Sequence, residues 1–221
     1  MLKNFWKLES LGIKSKTSSQ LSKEDQKAHE MMTATIKMID GHYEVGLPWR
    51  SDQGELLNNQ NMALRRFYNL ENRLKKDPET SSRYITLIED LIRAGQAVKV
   101  VSTDMSDHGR SWYLPHRNVK NKNKPDKTRV VYDASATHQG SSLNTALLRG
   151  TGFLPNLPGL LMRFREHPIA VSADIEKIFY QVRVPDRDQS ALRFYWRRLT
   201  TKSIDVQNDC KMFWHHLVSK P

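Results

Sequence analysis

Cysteine is nearly absent from this chain of 221 residues. Cys210 stands alone, which rules out an intrachain disulfide and any zinc site built from several thiolates, and which fits a reducing compartment. Long apolar runs are missing too. None approaches the roughly 18 residues needed to span a bilayer, and the N-terminus mixes Lys3, Lys7 and Glu9 where a signal peptide would carry its apolar core. A soluble intracellular protein is expected, cytoplasmic or nuclear and without membrane contact. Acids are scarce relative to bases. With 24 Asp plus Glu against 35 Lys plus Arg, the formal net charge is +11 and the pI about 9.8, which favours a polyanionic partner. Ribosomal, histone-like and membrane-surface proteins share that balance, so charge names a class of partner and not a fold.

What is present begins with helical spacing. Ser22 followed by Asp25 is a capping-box-like start, and a helix to about Ile39 would place Ala28, Met32, Ile36 and Ile39 on one stripe before Gly41 stops it. His29 and His42 are too far apart in sequence and too isolated to suggest a metal site. From Glu55 to Lys76, Leu56, Ala63, Phe67, Leu70 and Leu74 keep helical spacing. Asp77-Pro78 then caps a further helix with Tyr84, Ile88, Leu91 and Ile92 on its buried stripe and Gly95 at its end.

The period changes at Ala97. Residues 97–101 and 111–115 read as short strands around a polar loop whose Asp104, Asp107 and His108 are what turn chemistry supplies. Between Arg110 and Val130 stand seven basic residues (Arg110, Arg117, Lys120, Lys122, Lys124, Lys127 and Arg129) against one acid, Asp126. The Asn, Lys and Pro content of 118–126 predicts a mobile basic loop, suited either to phosphate contact or simply to solubility. Strand alternation over 128–133 puts Arg129, Val131 and Asp133 on one face, where Arg129 can pair with Asp133.

Downstream, Asn156 caps a helix carrying Leu157, Leu160, Leu161 and Phe164, expected to pack on a sheet. Residues 169–175 alternate Ile169, Val171, Ala173 and Ile175 against Ala170, Ser172 and Asp174, a strand with one apolar face. Asp174 is either a metal-holding carboxylate on the open face or a strand-end turn residue. A short turn at Pro185-Asp186-Arg187-Asp188 leads into Ala191–Trp196, a strand expected beside the first.

Four ordered blocks carry a family resemblance. The run 173–184, ADIEKIFYQVRV, resembles the first catalytic motif of reverse transcriptases from Pao/BEL-type long-terminal-repeat retrotransposons. Trp112-Tyr113-Leu114-Pro115-His116 with 127–136, KTRVVYDASA, and then Ser142-Leu143-Asn144 with Leu147-Leu148-Arg149-Gly150, agree in order and spacing. Upstream, 5–13 and 43–49 are similar to the segment between protease and polymerase in such polyproteins. Thr151 departs from the pattern, which has Gly-Pro there.

The resemblance covers roughly residues 5 to 199 and implies an α+β fold, with N-terminal helices followed by an incomplete fingers and palm built on a small, mostly antiparallel sheet with packing helices. It divides the chain into an N-terminal linker and helix (1–53), partial fingers and start of palm (54–199) and an unmatched tail (200–221). It implies RNA-directed DNA polymerase chemistry with Mg²⁺, acting on template-primer and dNTP. Asp174 becomes the first catalytic, metal-holding carboxylate, Arg129 the grip on the incoming triphosphate, and Phe179 the ring under its sugar. The basic charge of the stretch 110–130, in turn, puts Lys122 and Lys124 forward as nucleotide contacts and Arg117, Lys120 and Lys127 as nucleic-acid contacts. The second carboxylate motif of the family contains Asp-Asp, and no Asp-Asp dipeptide occurs in this sequence. Activity by this chain alone is therefore not expected. The alternative is a basic nucleic-acid-binding module without chemistry.

Overall fold

The computed structural model describes residues 22–51, 56–100, 110–121, 124–150, 157–174, 180–197 and 209–212. The class is α+β. Helix α1 (Lys23–Thr35) starts at Ser22, whose hydroxyl accepts from the Asp25 N–H at 3.1 Å. It stops at Thr35, four residues before the expected end, because Asp40 and Gly41 both take positive φ (49° and 76°). That Asp-Gly pair forms the tight two-residue turn of a hairpin, β1 (Lys37–Ile39) with β2 (His42–Glu44). Gly41 thus serves a turn between strands and not a helix end.

Helices α2 (Gln60–Leu74) and α3 (Pro78–Arg93) follow the spacing read from sequence: Ala63, Phe67, Leu70 and Leu74, then Tyr84, Ile88 and Leu91, are buried, whereas Ile92 is exposed. Asp77 caps α3 through the Thr80 N–H, and Gly95 closes it at φ 69°. Asn59, just ahead of α2, is fully buried. Its amide donates to the Tyr113 carbonyl and accepts from the Tyr113 N–H, both at 2.8 Å, so a side chain takes the place of a neighbouring strand.

Strand β3 (Ala97–Lys99) comes next, followed by the hairpin of β4 (His116–Asn121) and β5 (Lys124–Tyr132). Helix α4 (Leu143–Ala146) opens on a capping box between Ser142 and Thr145. After α5 (Leu157–Phe164) come β6 (Val182–Arg183), the one-turn α6 (Asp186–Gln189), β7 (Arg193–Tyr195) and β8 (Asp209–Met212). The sheets are small. β2 lies between β1 and β6, pairing in parallel with β6, and β8 lies between β3 and β7, antiparallel to both. The tail therefore supplies a central strand to a sheet whose other members come from residues 97 and 193 onward.

Two expectations fail downstream of residue 156. Helix α5 forms, but none of its side chains is buried, and Leu157, Leu160, Leu161 and Phe164 face solvent. Residues 169–174 form no strand, with Ile169 and Val171 80% and 83% exposed. Period-2 alternation makes a strand only when another backbone completes the ladder, and β7 takes β8 as its partner instead of 169–174.

The core gathers on His116. Its Nε2 lies 2.7 Å from the Tyr195 carbonyl and must donate there, so Nδ1 accepts the short hydrogen bond from the Tyr84 hydroxyl. Rings of Phe67, Tyr84, Tyr132 and Phe194 surround it at 5.4 to 6.0 Å. Burial drives its pKa down from 6.5 to about 4, against an upward pull from the Tyr195 carbonyl. Burial likewise pushes the Tyr84 phenol up.

Because the folded-state pKa lies below the unfolded one, the neutral ring's contribution is complete above pH 6.5 and is lost as pH falls toward 4. At about 1.4 kcal/mol per pKa unit the loss approaches about 3 kcal/mol. Urea unfolding between pH 7 and 4 should show that decline, and His116→Gln should be weaker at pH 7 with a flatter dependence below it. An equal slope in both proteins would remove His116 as the source.

Candidate nucleic-acid interface

Of the stretch expected to be a mobile loop, 118–126, residues 118–121 and 124–126 lie instead on strands β4 and β5, with an irregularity at Lys120/Asn121. Val119, Thr128, Val130 and Val131 are β-branched residues in register, and their pairing outweighs the loop-like Asn and Lys content of the same segment. Two faces result. His116, Val130 and Tyr132 turn to the core, while Arg117, Val119, Arg129 and Val131 are exposed on the other side, paired across the ladder as Arg117 with Val131 and Val119 with Arg129. The outer face therefore alternates cation and aliphatic side chain in both directions.

Arg129 makes no ion pair among the described residues. The local pairing with Asp133 is not formed, because Asp133 accepts from Arg66 Nη1 at 3.1 Å and from the Ser135 N–H and hydroxyl at 3.2 and 2.6 Å. The guanidinium is left directed at solvent on a strand, a fixed position for a fork that matches phosphate oxygens.

Lys120 is differently placed. Its Nζ lies 3.0 Å from Asp77 Oδ2 and ties the hairpin to the start of α3. The side-chain and backbone hydrogen bonds from Thr80, and then Lys120, hold the Asp77 carboxyl well below the usual carboxylate range. Both partners are about half exposed, so the pair adds little stability, but Lys120 is engaged. Lys124 and Lys127 lie on β5, where only their backbone is described. Lys122 and Phe179 lie outside the described residues.

Asp174 is exposed on the irregular stretch 171–174. Among the described residues no group of three His, Cys, Asp or Glu side chains comes together as a metal site. One exposed carboxylate does not meet the octahedral oxygen shell that Mg²⁺ demands, so the described residues do not fit that ion. The acids of the α6 turn are also committed elsewhere: Asp186 accepts from Gln189 Nε2 at 2.8 Å, and Asp188 is buried.

Asp188 is the residue that sequence reasoning undervalues. It is 1% exposed and accepts from the Leu47 N–H at 3.0 Å and from Trp49 Nε1 at 2.8 Å, with Arg110 4.0 Å away and stacked over the Trp49 ring. Together with β2 pairing onto β6, it clasps residues 43–49 against 182–188. Glu71 is a second such residue. Arg197 grips it through two hydrogen bonds of 2.5 Å, which raise the Arg197 pKa. Neither is legible in the sequence, since an acid on a turn and an acid inside an amphipathic helix read as surface.

No model of a known protein family matches this chain, and no curated protein matches it at a significant level.

Replacing Asp188 by Ala strands the buried Trp49 indole N–H and the part-buried Leu47 N–H, at about 1–3 kcal/mol for a buried donor and less for the other. The variant should lose roughly 2–3 kcal/mol in urea unfolding, and the amides of Val45, Gly46, Leu47 and Trp49 should exchange faster in native-state hydrogen exchange. Unchanged protection of Leu47 would show that the clasp does not hold this segment.

Proposed function

We propose that this chain is the N-terminal part of the reverse transcriptase region of a Pao/BEL-type retrotransposon polyprotein, comprising linker, fingers and the start of the palm. In that reading it contributes nucleic-acid and nucleotide contacts to an RNA-directed DNA polymerase whose chemistry needs carboxylates beyond those found among the described residues. One observation carries the proposal. One of the four blocks of the resemblance, KTRVVYDASA, lies largely on a hairpin strand that holds Arg129 outward, without an ion pair among the described residues, on the same exposed face as Arg117. A cation fixed on a strand and left without an internal partner is suited to a phosphate that arrives from outside.

The isolated position of Asp174 among the described residues favours a second reading for this chain by itself, namely nucleic-acid binding without catalysis. Two Mg²⁺ ions about 3.5–4 Å apart need several fixed carboxylates to offset their mutual repulsion. Asp174 supplies one, from an exposed segment.

Salt titration of binding to a duplex tests the interface. Arg117→Ala and Arg129→Ala should each flatten the log–log salt slope by about 1, because each removes one phosphate contact. Lys120→Ala should change it less, since Lys120 is spent on Asp77. Slopes that do not respond to Arg117 and Arg129 would place the phosphate contacts elsewhere.

Primer extension on an RNA template tests the chemistry. The natural chain should give no extension with Mg²⁺ or Mn²⁺, and Asp174→Asn should match it. Extension that depends on Asp174 would mean that other acids, or a second chain, complete the site.

A further inference from the structure

A ladder of rings runs along the face of β7 beneath α2. Tyr113 stacks on Tyr195 at 4.9 Å and 8°, Tyr195 lies 6.4 Å from Phe67, and Phe67 lies 6.4 Å from Tyr68. An arginine closes each end, Arg197 over Tyr68 at 5.7 Å and Arg193 over Tyr113 at 6.0 Å. The two ends are not equivalent. Arg197 is neutralised by Glu71 through both guanidinium bonds. Arg193 is 8% exposed, and among the described residues no carboxylate lies within ion-pair distance of it.

The donors of Arg193 are correspondingly idle. Nη2 donates to Ser190 Oγ at 3.1 Å, Nε is enclosed without an acceptor, and Nη1 makes no hydrogen bond among the described residues. An enclosed charge without a counter-charge is costly, and a single tyrosine ring at 6.0 Å offsets only a part of that.

We propose that this end of the ladder seats a small tetrahedral oxyanion of phosphate type, bound by the Arg193 guanidinium and the Ser190 hydroxyl. Ser190 Oγ accepts from Arg193 Nη2, which leaves its own proton to donate. The anion receives that proton as a hydrogen bond while Nη1 and Nη2 face its other oxygens, the fork geometry that favours phosphate over a spherical ion. The ring of Tyr113 backs the guanidinium and fixes its plane. The site does not depend on the polymerase reading, since it uses none of Arg117, Arg129 or Asp174.

The test is thermal unfolding of the whole chain in inorganic phosphate and in sodium chloride of equal ionic strength, for the natural protein, Arg193→Gln and Ser190→Ala. Phosphate at ten times its dissociation constant should raise the natural midpoint by roughly 3 °C beyond chloride. Any general effect of phosphate on a chain of net charge +11 survives in Arg193→Gln, whereas the site-bound increment disappears there and shrinks in Ser190→Ala. In chloride alone Arg193→Gln should be at least as stable as the natural chain, because it relieves the uncompensated charge. If Arg193→Gln does not fold, Arg193→Lys and Ser190→Ala decide the matter, and an undiminished increment in both overturns the site. So does an equal increment in Arg193→Gln, or the absence of any increment over chloride. A single-stranded oligonucleotide provides the last arm: sensitivity to Arg193→Gln there, with none for free phosphate, moves the anion to a nucleic-acid backbone and overturns the small-ion site.

Discussion

One buried imidazole, held neutral at pH 7, joins the elements of the core. His116 is the point at which α2, α3, the hairpin and β7 meet, through Phe67, Tyr84, Tyr132 and the Tyr195 carbonyl. A charged ring there would have to donate at both nitrogens, but the Tyr84 hydroxyl, whose own proton is held by burial, is arranged to donate to Nδ1. The tautomer is thus set by geometry, with Nε2–H toward the carbonyl. Everything attached to the hairpin inherits this constraint. The inward strand face is locked by His116 and Tyr132, and period-2 alternation then obliges Arg117 and Arg129 to stand on the opposite side. Arg117 and Arg129 stand on a strand face whose reverse side, at His116, Val130 and Tyr132, is core.

A second constraint ties the start of the described chain to the region after Tyr180. Asp188 does with one carboxylate what several backbone bonds would otherwise do, meeting the Leu47 N–H and the Trp49 indole at once. Such a residue resists change to Asn, which keeps the shape but offers only one acceptor oxygen to two donors. Glu71 shows the same logic from inside a helix, where Arg197 satisfies both oxygens. In both cases a buried acid is tolerated because every lone pair that matters is met.

How much of this is legible in the sequence follows from which signals are local. Helices α2 and α3 are readable because their apolar residues repeat at the helical period and their ends carry Asp77, Pro78 and Gly95. The hairpin at 37–44 is easily taken for a helix end because Gly41 fits either role, and only the neighbouring Asp40, itself at positive φ, separates them. The hairpin at 116–132 is half readable. The β-branched run at Thr128–Tyr132 announces a strand, but its partner is rich in Asn and Lys and becomes a strand by pairing. Arg129 falls on the right face by alternation alone, whereas the ion pairs of Lys120 with Asp77 and of Asp133 with Arg66 link residues 43 and 67 positions apart, which no spacing rule reports.

The stretch 157–174 shows the limit of pattern reading most sharply, and it bears on the candidate catalytic acid. Its alternation and its helical leucines are those of buried elements, yet among the described residues the helix buries no side chain and the would-be strand has no ladder. The pattern states what these residues would gain by burial, roughly 1.5–3 kcal/mol for each large aliphatic side chain. It does not supply the surface against which to gain it. A carboxylate ligand must be fixed to a few tenths of an ångström to hold a metal in a demanding geometry, and Asp174 rides on backbone without that support. Whether Asp174 can act as a ligand is therefore decided by whatever completes the ladder at 169–174. Among the described residues Arg117 and Arg129 stand on a paired strand face, whereas Asp174 has no such support.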